Sequence, residues 1–430
     1  MEKLLKILKR SKKISAWKVN IVETESTELF HVLKQLETNR ATHTFDYNVT
    51  LYIDKDGLRG NASFTYYPFM SEEEIKTKID ETVFAASFTL NKYFDIPGKS
   101  KVKAIKSKSN LRKKPFNELV GEVEKAVFKA DKFKDGYLSA TEIFLYKTTT
   151  TILNSKGVKV SSTTFSGNIE TIPSWDKKDE EVEVYEMIRF GTFNKKELTK
   201  QVKTALELAK ARSRAKKLNV KKVVTNVNVI IQDEEVYQVF KSIAGDLNYG
   251  SKYQKLNLTN LGESVQGENV TGDKLNLKLV PIYDGAIKSS AVDFDGVVLK
   301  EVSLIEEGIA KANYGSYRFG YYLGVDEPTG DVPVIVVKEG SKSFDEMKKT
   351  PYIRCVKFSN MQLDPYSGLF GGEVRLGFYF DGKKEVPVTG FSIAGNFNDV
   401  KASAVYSKET VTLPAYHGPK YLEIKNLDIA

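Results

Sequence analysis

The sequence predicts an α+β protein, with an N-terminal α/β region followed by a β-rich C-terminal domain of packed sheets or an open barrel. Three observations carry this expectation. The chain has 430 residues with 41% apolar content, enough for two or three cores. Helix-period and strand-period segments are mixed up to about residue 217. Beyond 220 short strand patterns dominate, separated by Gly and Asp-Gly turns.

The segment MEKLLKILKRSKK is basic and amphipathic, with Leu4, Leu5, Ile7 and Leu8 on one side. It lacks the apolar core and small-residue cleavage site of a secretory signal, and reads as a first helix. In HTFDYNVTLYIDKDGLRGNASFTYY, Val49, Leu51 and Ile53 alternate with polar residues. Asp56-Gly57 is a hairpin turn leading to Ala62, Phe64 and Tyr66. SEEEIKTKIDETVFAASFTL opens with a Ser71–Glu74 capping box and carries an expected buried stripe of Ile75, Ile79, Val83 and Phe84. These elements define an N-terminal α/β domain, 1–98. The acid-free stretch Lys99 to Lys114 reads as an exposed connection.

Residues 115–217 form a central helix-and-hairpin segment packed with the N-terminal domain. A helix from Phe116 to Lys132 precedes two Thr- and Val-rich strands that turn at Asn154-Ser155-Lys156-Gly157. EVEVYEMIRFGTF is another strand, and a basic helix closes the segment. Leu198, Val202, Leu206 and Ala209 recur there at helical spacing, so its lysines form a solvated face. The remainder, 220–430, is the β-rich domain. Its clearest helix starts in EEVYQVFKSIAGDLNYGS, and YFDGKKEVPVTGF reads as a hairpin turning at Asp381-Gly382, with Pro387 marking an edge or bulge.

Charge and composition narrow the functional classes. Net charge is +9, but the 65 basic and 56 acidic residues are mostly interspersed, and no zinc-finger, RNA-binding strand or helix-turn-helix pattern is present. No specific nucleic acid is therefore expected as a partner. No apolar run approaches the ~18 residues of a membrane span, so no membrane partner is expected either. Cys355, the single cysteine, excludes an internal disulfide and fits a reducing compartment; the chain is expected to be soluble and cytoplasmic.

The residue types that do chemistry are sparse. Cys355 alternates with Arg354 and Val356 on a strand, which reads as a core or sheet-face thiol. His31 and His43 flank a polar bend and His417 sits in a Gly-Pro loop, so all three read as surface or loop residues. Asp293-Phe294-Asp295-Gly296 could place two carboxylates on one face, but a hairpin turn is its plain reading. There is no GxxxxGK[ST], no GxGxxG after a strand and no GxSxG. GLFGGEVRLG leads into a strand and offers no helix N-terminus to a phosphate. Gly371, Gly372, Gly382, Gly395 and Asn396 are candidate turn or cleft residues.

Three segments in order resemble the TldD/PmbA family: ESTELFHVLKQLETNRATHTFDYNVTLYI, DFDGVVLKEVSLIEEGIAKANYGSYRFGYYLG and GLFGGEVRLGFYFDGKKEVPVTGFSIAGN. The family, whose old label is modulator of DNA gyrase, comprises metallopeptidases and their paralogous partners. The resemblance runs from Ser26 to Ile424 and rests on segment order and turn motifs. It implies an N-terminal α/β part and a β-rich C-terminal part. TldD-type members carry HExxxH on a helix opening the C-terminal domain, plus a later cysteine; these hold a catalytic zinc, with the Glu as base. PmbA/TldE-type members lack the motif and pair with TldD-type chains.

Segment order places the two His positions of that motif at Phe240 and Gly245 and its Glu at Lys241. The chain has no histidine between His43 and His417, and no cysteine after Cys355. A catalytic zinc needs about three protein ligands and an open position for water. The resemblance is thus to the PmbA/TldE side. It implies a non-catalytic subunit of a zinc peptidase complex, with zinc in a TldD-like HExxxH partner and no cofactor in this chain. The alternative is a stand-alone homodimer that binds unfolded peptides without cleaving them.

Overall fold

The structure is a computed structural model that describes residues 1–100, 109–177, 180–224 and 227–430. The first strands are β1 (Ala16–Val32), β2 (Gln35–Lys55), β3 (Leu58–Thr65), β4 (Asn91–Lys92), β5 (Gly136–Asn154), β6 (Lys159–Lys177), β7 (Glu180–Glu183) and β8 (Glu186–Phe190). They form one eight-stranded sheet in the order β4-β3-β2-β1-β5-β6-β7, with β8 also on β6. All its pairings are antiparallel.

Two helices cover one end of this sheet, α1 (Glu2–Arg10) and α2 (Glu72–Ala86), and two the other, α3 (Phe116–Phe128) and α4 (Lys195–Arg214). Leu4 and Leu8, one helical turn apart, bury against Trp17, Val49 and Leu51. Full burial of each such leucine contributes roughly 1.5–3 kcal/mol. The capping box of Ser71 and Glu74 is formed. The buried stripe of α2 is Ile75, Ile79, Thr82 and Ala86, whereas Phe84 is 68% exposed. The stripe advances by three or four residues, and Phe84 falls between two of its members; its ring packs on Phe88 instead, at 5.0 Å.

In α4, Leu198, Val202, Leu206 and Ala209 face the core as their spacing predicts, and Asn194 caps the helix. EVEVYEMIRFGTF is two strands rather than one, because β7 and β8 pair with separate stretches of β6. The Lys-rich connection lies partly outside the described residues. Its described ends are exposed at Lys99, Ser100 and Arg112 to Lys114, as expected, but Leu111 is buried beside α3, and Ser109 Oγ donates to the carbonyl of Gly191.

Strands then follow as β9 (Lys216–Lys217), β10 (Asn228–Gln232), β11 (Leu277–Val280), β12 (Val302–Glu306), β13 (Ile309–Ala310), β14 (Val334–Val337), β15 (Tyr352–Leu363), β16 (Leu369–Phe380), β17 (Glu385–Thr389), β18 (Phe391–Asn396), β19 (Val405–Tyr406), β20 (Thr410–Leu413), β21 (Tyr416–Pro419), β22 (Tyr421–Ile424) and β23 (Asp428–Ile429). A nine-stranded sheet runs β19-β22-β10-β15-β16-β17-β9, with β18 on β16 and β23 on β18. A six-stranded sheet runs β13-β12-β11-β14-β21-β20. Neither closes into a barrel. Both contribute to one core with α5 (Glu234–Asp246), which is followed by α6 (Tyr249–Tyr253).

One place where the two parts of the chain meet is the turn at Asp293–Gly296. Asp293 Oδ1 accepts from the backbone N–H groups of Asp295 and Val297 at 2.9 Å each, and burial pushes the Asp293 carboxyl up to about 6. Gly296 has φ +90°, so this segment is a turn that docks against Ile152 and Val158. Lys18 Nζ reaches Asp295 at 2.6 Å across the junction. Among the described residues, no helix is long and apolar enough to cross a membrane.

Candidate functional site

The helix that the sequence singles out, α5, starts at a strained residue. Asp233 has φ 53° and ψ −113°, a conformation costly for a residue with a Cβ. Gln232 Nε2 donates to Asp233 Oδ2 at 2.8 Å, and Arg354 Nη1 donates to Gln232 Oε1 at 3.1 Å. Two residues on, burial pushes the Glu235 carboxyl up to about 7, and neighbouring Asp233 adds to the effect. Nothing in the local sequence announces this, since the burial comes from packing against distant strands.

Along α5 the faces divide sharply. Val236, Val239, Phe240 and Ala244 enter the core. Phe240 is fully buried, edge-on to Tyr406 at 5.2 Å and stacked with Tyr416 at 6.0 Å. Lys241 is exposed, its Nζ 5.9 Å from the Tyr237 ring centre. Gln238, Lys241, Ser242, Gly245 and Asp246 recur at helical spacing and line one wall of a groove of about 310 Å³. The other wall carries Met361 and Leu363 of β15, with Pro365 and Tyr366. Lys241 and Gly245 therefore share this groove, while Phe240 points away from it.

The glycines predicted from sequence are dispersed. Gly371 and Gly372 lie within β16, paired with Gln362 and Met361. A Cβ on Gly372 would stand 2.4 Å from the Asn360 carbonyl oxygen, and one on Gly371 2.7 Å from that of Ile393; bare backbone permits the close strand approach behind the groove. Gly395 lies in β18, and Asn396 Oδ1 accepts from Asn398 N at 2.9 Å to start a short helical turn. Gly382, φ +96°, sits at the far end of β16 in the β16–β17 hairpin.

The donors lining the groove do not fit a catalytic zinc. Asp246 is the sole carboxylate among the described lining residues, and it already accepts from the backbone N–H groups of Leu258 and Thr259. Cys355 is fully buried in the strand, as its alternation predicts, and burial pushes its thiol well above the ordinary range.

Two of the three histidines differ from expectation. His31 is a core residue of β1, 3% exposed, its ring 5.0 Å from Phe128 and its Nε2 2.8 Å from Glu124. The polar bend is a two-residue turn after Val32, so strand alternation carries His31 under α3. His417 lies on β21, not in a loop; it stacks on Tyr283 at 4.3 Å, and burial lowers its pKa. His43 is exposed, as expected, with Glu23 and Glu25 close by on β1. Strand pairing sets Thr44 opposite Thr24 and brings these three together, which spacing within either strand does not reveal. Lys147 Nζ sits on Glu25 at 2.6 Å.

Residues 225–430, the segment that holds α5 and both sheets except β9, match the family described as PmbA/TldA metallopeptidase C-terminal domain. Over that segment the chain matches the PmbA/TldD family. Solved structures share the architecture of the whole chain. A protein of Thermotoga maritima provisionally described as a modulator of a DNA gyrase has a TM-score of 0.77 and 17% identity over 100% of this chain and 99% of its own. TldE of Thermococcus kodakarensis has a TM-score of 0.76 and 16% identity over 100% and 99%. A provisional DNA gyrase modulator of Bacteroides thetaiotaomicron has 0.75 and 17% over 100% and 97%. At these identities the likeness is one of fold. No curated protein matches the sequence significantly.

Proposed function

We propose that this chain is the non-catalytic, PmbA/TldE-like subunit of a TldD-type zinc metallopeptidase complex that processes or degrades peptides. One observation carries the reading. In the groove beside α5, where the family places its zinc helix, the chain offers a lysine, a glycine and a single engaged carboxylate, and Phe240 is committed to the core. Amide hydrolysis requires an activated water and stabilisation of the oxyanion; in this complex a partner's zinc supplies both. Phe240, Lys241 and Gly245 are, on this reading, the counterparts of the HExxxH residues. The partner is a TldD-like HExxxH chain, the substrate an unfolded peptide, and the setting the cytoplasm, with no specific nucleic acid or membrane partner and no cofactor in this chain.

The test is to express this chain, a TldD-like partner, and the pair, then follow cleavage of unfolded peptides with and without a chelator. The reading expects chelator-sensitive cleavage that the pair performs and this chain alone does not. Cleavage by this chain alone that survives chelation overturns it. Peptide binding without cleavage in every combination, with a homodimer in solution, replaces it with the stand-alone binding protein.

A further inference from the structure

Where β9 ends the strand order of the nine-stranded sheet lies a second concavity of about 430 Å³. Five cations line it: Arg214, Lys216, Lys217 and Lys222 from the end of α4 and the segment after it, and Lys384 from the β16–β17 hairpin. Its floor is apolar, made of Leu218, Val386, Pro387 and Val388. None of its described lining residues is acidic, and none of the five cations makes an ion pair with a described residue within 4.0 Å. The nearby carboxylates are turned to other tasks. Glu385 accepts from the Tyr352 hydroxyl, and Asp381 accepts from the backbone N–H groups of Lys383 and Lys384.

A solvated lysine face explains the exposed side of α4, and Arg214 also complements the negative end of that helix. Neither explains why the β16–β17 hairpin, remote in sequence, adds Lys384 to the same concavity with no acid to answer it. Gathering like charges costs stability, which a bound anion recovers. We propose that this pocket binds an acidic peptide segment, its carboxylates on the five cations and an apolar side chain on the floor of Leu218 and Val386–Val388.

The lining favours a peptide over a phosphoryl ligand. The α-helix end here is the C-terminal end of α4, and the 3-10 turn after it, Val220–Lys222, is too short to gather free N–H groups around a phosphate. Tyr379 is the one aromatic ring among the described lining residues, and its hydroxyl is held by Val224 N at 3.1 Å, which fixes it in the wall rather than leaving it to stack on a base. Lysine ammonium groups are point charges on long stems, suited to carboxylates spread along an extended chain. The terminal position of β9 leaves room for such a chain beside the sheet. This proposal is independent of the zinc-partner reading and concerns binding by this chain alone.

The test is fluorescence anisotropy with a short labelled peptide alternating glutamate and leucine, against the same peptide with glutamine for glutamate. Wild type should bind the acidic peptide, and binding should weaken steeply with salt. The double variant Lys217→Glu, Lys384→Glu should bind about tenfold or more weakly, while Lys9→Glu, Lys76→Glu, with the same change in net charge elsewhere, should bind as wild type does. Thermal unfolding of both variants checks their fold; if the first is unfolded, Lys217→Gln, Lys384→Gln takes its place. Equal losses in both variants, equal binding of the glutamine peptide, or no binding by wild type overturns the pocket. Stronger displacement by pyrophosphate or a single-stranded oligonucleotide than by unlabelled acidic peptide overturns the peptide assignment.

Discussion

Gly382 shows how one residue sets a local geometry. Its φ of +96° lies in the region that a side chain disfavours, and Asp381 fixes the turn by accepting from Lys383 N at 2.8 Å and Lys384 N at 2.9 Å. A Cβ there would meet nothing closer than Pro351 Cγ at 3.7 Å, so strain rather than collision is the cost. Gly382→Ala is expected to destabilise the protein by roughly 1 kcal/mol or more. Chemical denaturation reads this directly, and an unchanged midpoint would contradict it. The same scale explains the misplaced histidine. His31 has a polar neighbourhood in sequence, but alternation along β1 sends it to the helix-covered face, where Glu124 of α3 answers one ring nitrogen.

At the scale of the element, α5 carries a pH dependence. The Glu235 carboxyl, pushed up to about 7 by burial, keeps its proton in the folded protein, while the unfolded chain releases it near the ordinary value of 4.5. Between those limits the unfolded state binds fewer protons, so stability falls as pH rises from about 4.5 to about 7 and levels off above. Glu235→Gln removes this loss. The stability of the variant relative to wild type should therefore climb between pH 4.5 and 7 and stay constant at pH 8. Urea denaturation across that range tests it, and a difference that does not change with pH would show that Glu235 is ionised in the fold. That EEVYQVFKSIAGD forms a helix is legible in the sequence. The burial of its charged positions is not, because desolvation depends on β15 and the strands around it.

For the whole molecule, the Asp293–Gly296 turn is one of the contacts that join the two parts. The Asp293–Gly296 turn is held by Lys18 at Asp295 and by Asn20 Nδ2 at the Phe294 carbonyl, 3.1 Å away. A Cβ on Gly296 would stand 2.7 Å from Val158 Cγ1 and 3.2 Å from Ile152 Cγ2. Gly296→Val should lift the turn off the sheet and uncouple the two parts. Calorimetry is expected to show one unfolding transition in wild type and two in the variant. A single transition at the wild-type temperature would show that the remaining contacts, such as Gly191 N to Gly285 O at 2.9 Å and Lys357 to Glu186 at 2.7 Å, suffice.

What the sequence by itself determined is local. The Ser71–Glu74 cap, the stripe of α4, the Asp56-Gly57 turn and the strand thiol Cys355 depend on short-range φ preferences and on periods of 3.6 or 2, which a few consecutive residues reveal. The α+β class follows from summing such patterns. The tertiary structure alone decided which segments meet. It set β1 between β2 and β5, put Phe240 in the core and Lys241 on the groove, and brought Lys384 to the lysines after α4. Strand register and the burial of a charged group are fixed by partners far away in the chain. Closing those long loops is governed by the total packing free energy, which no local window of sequence contains.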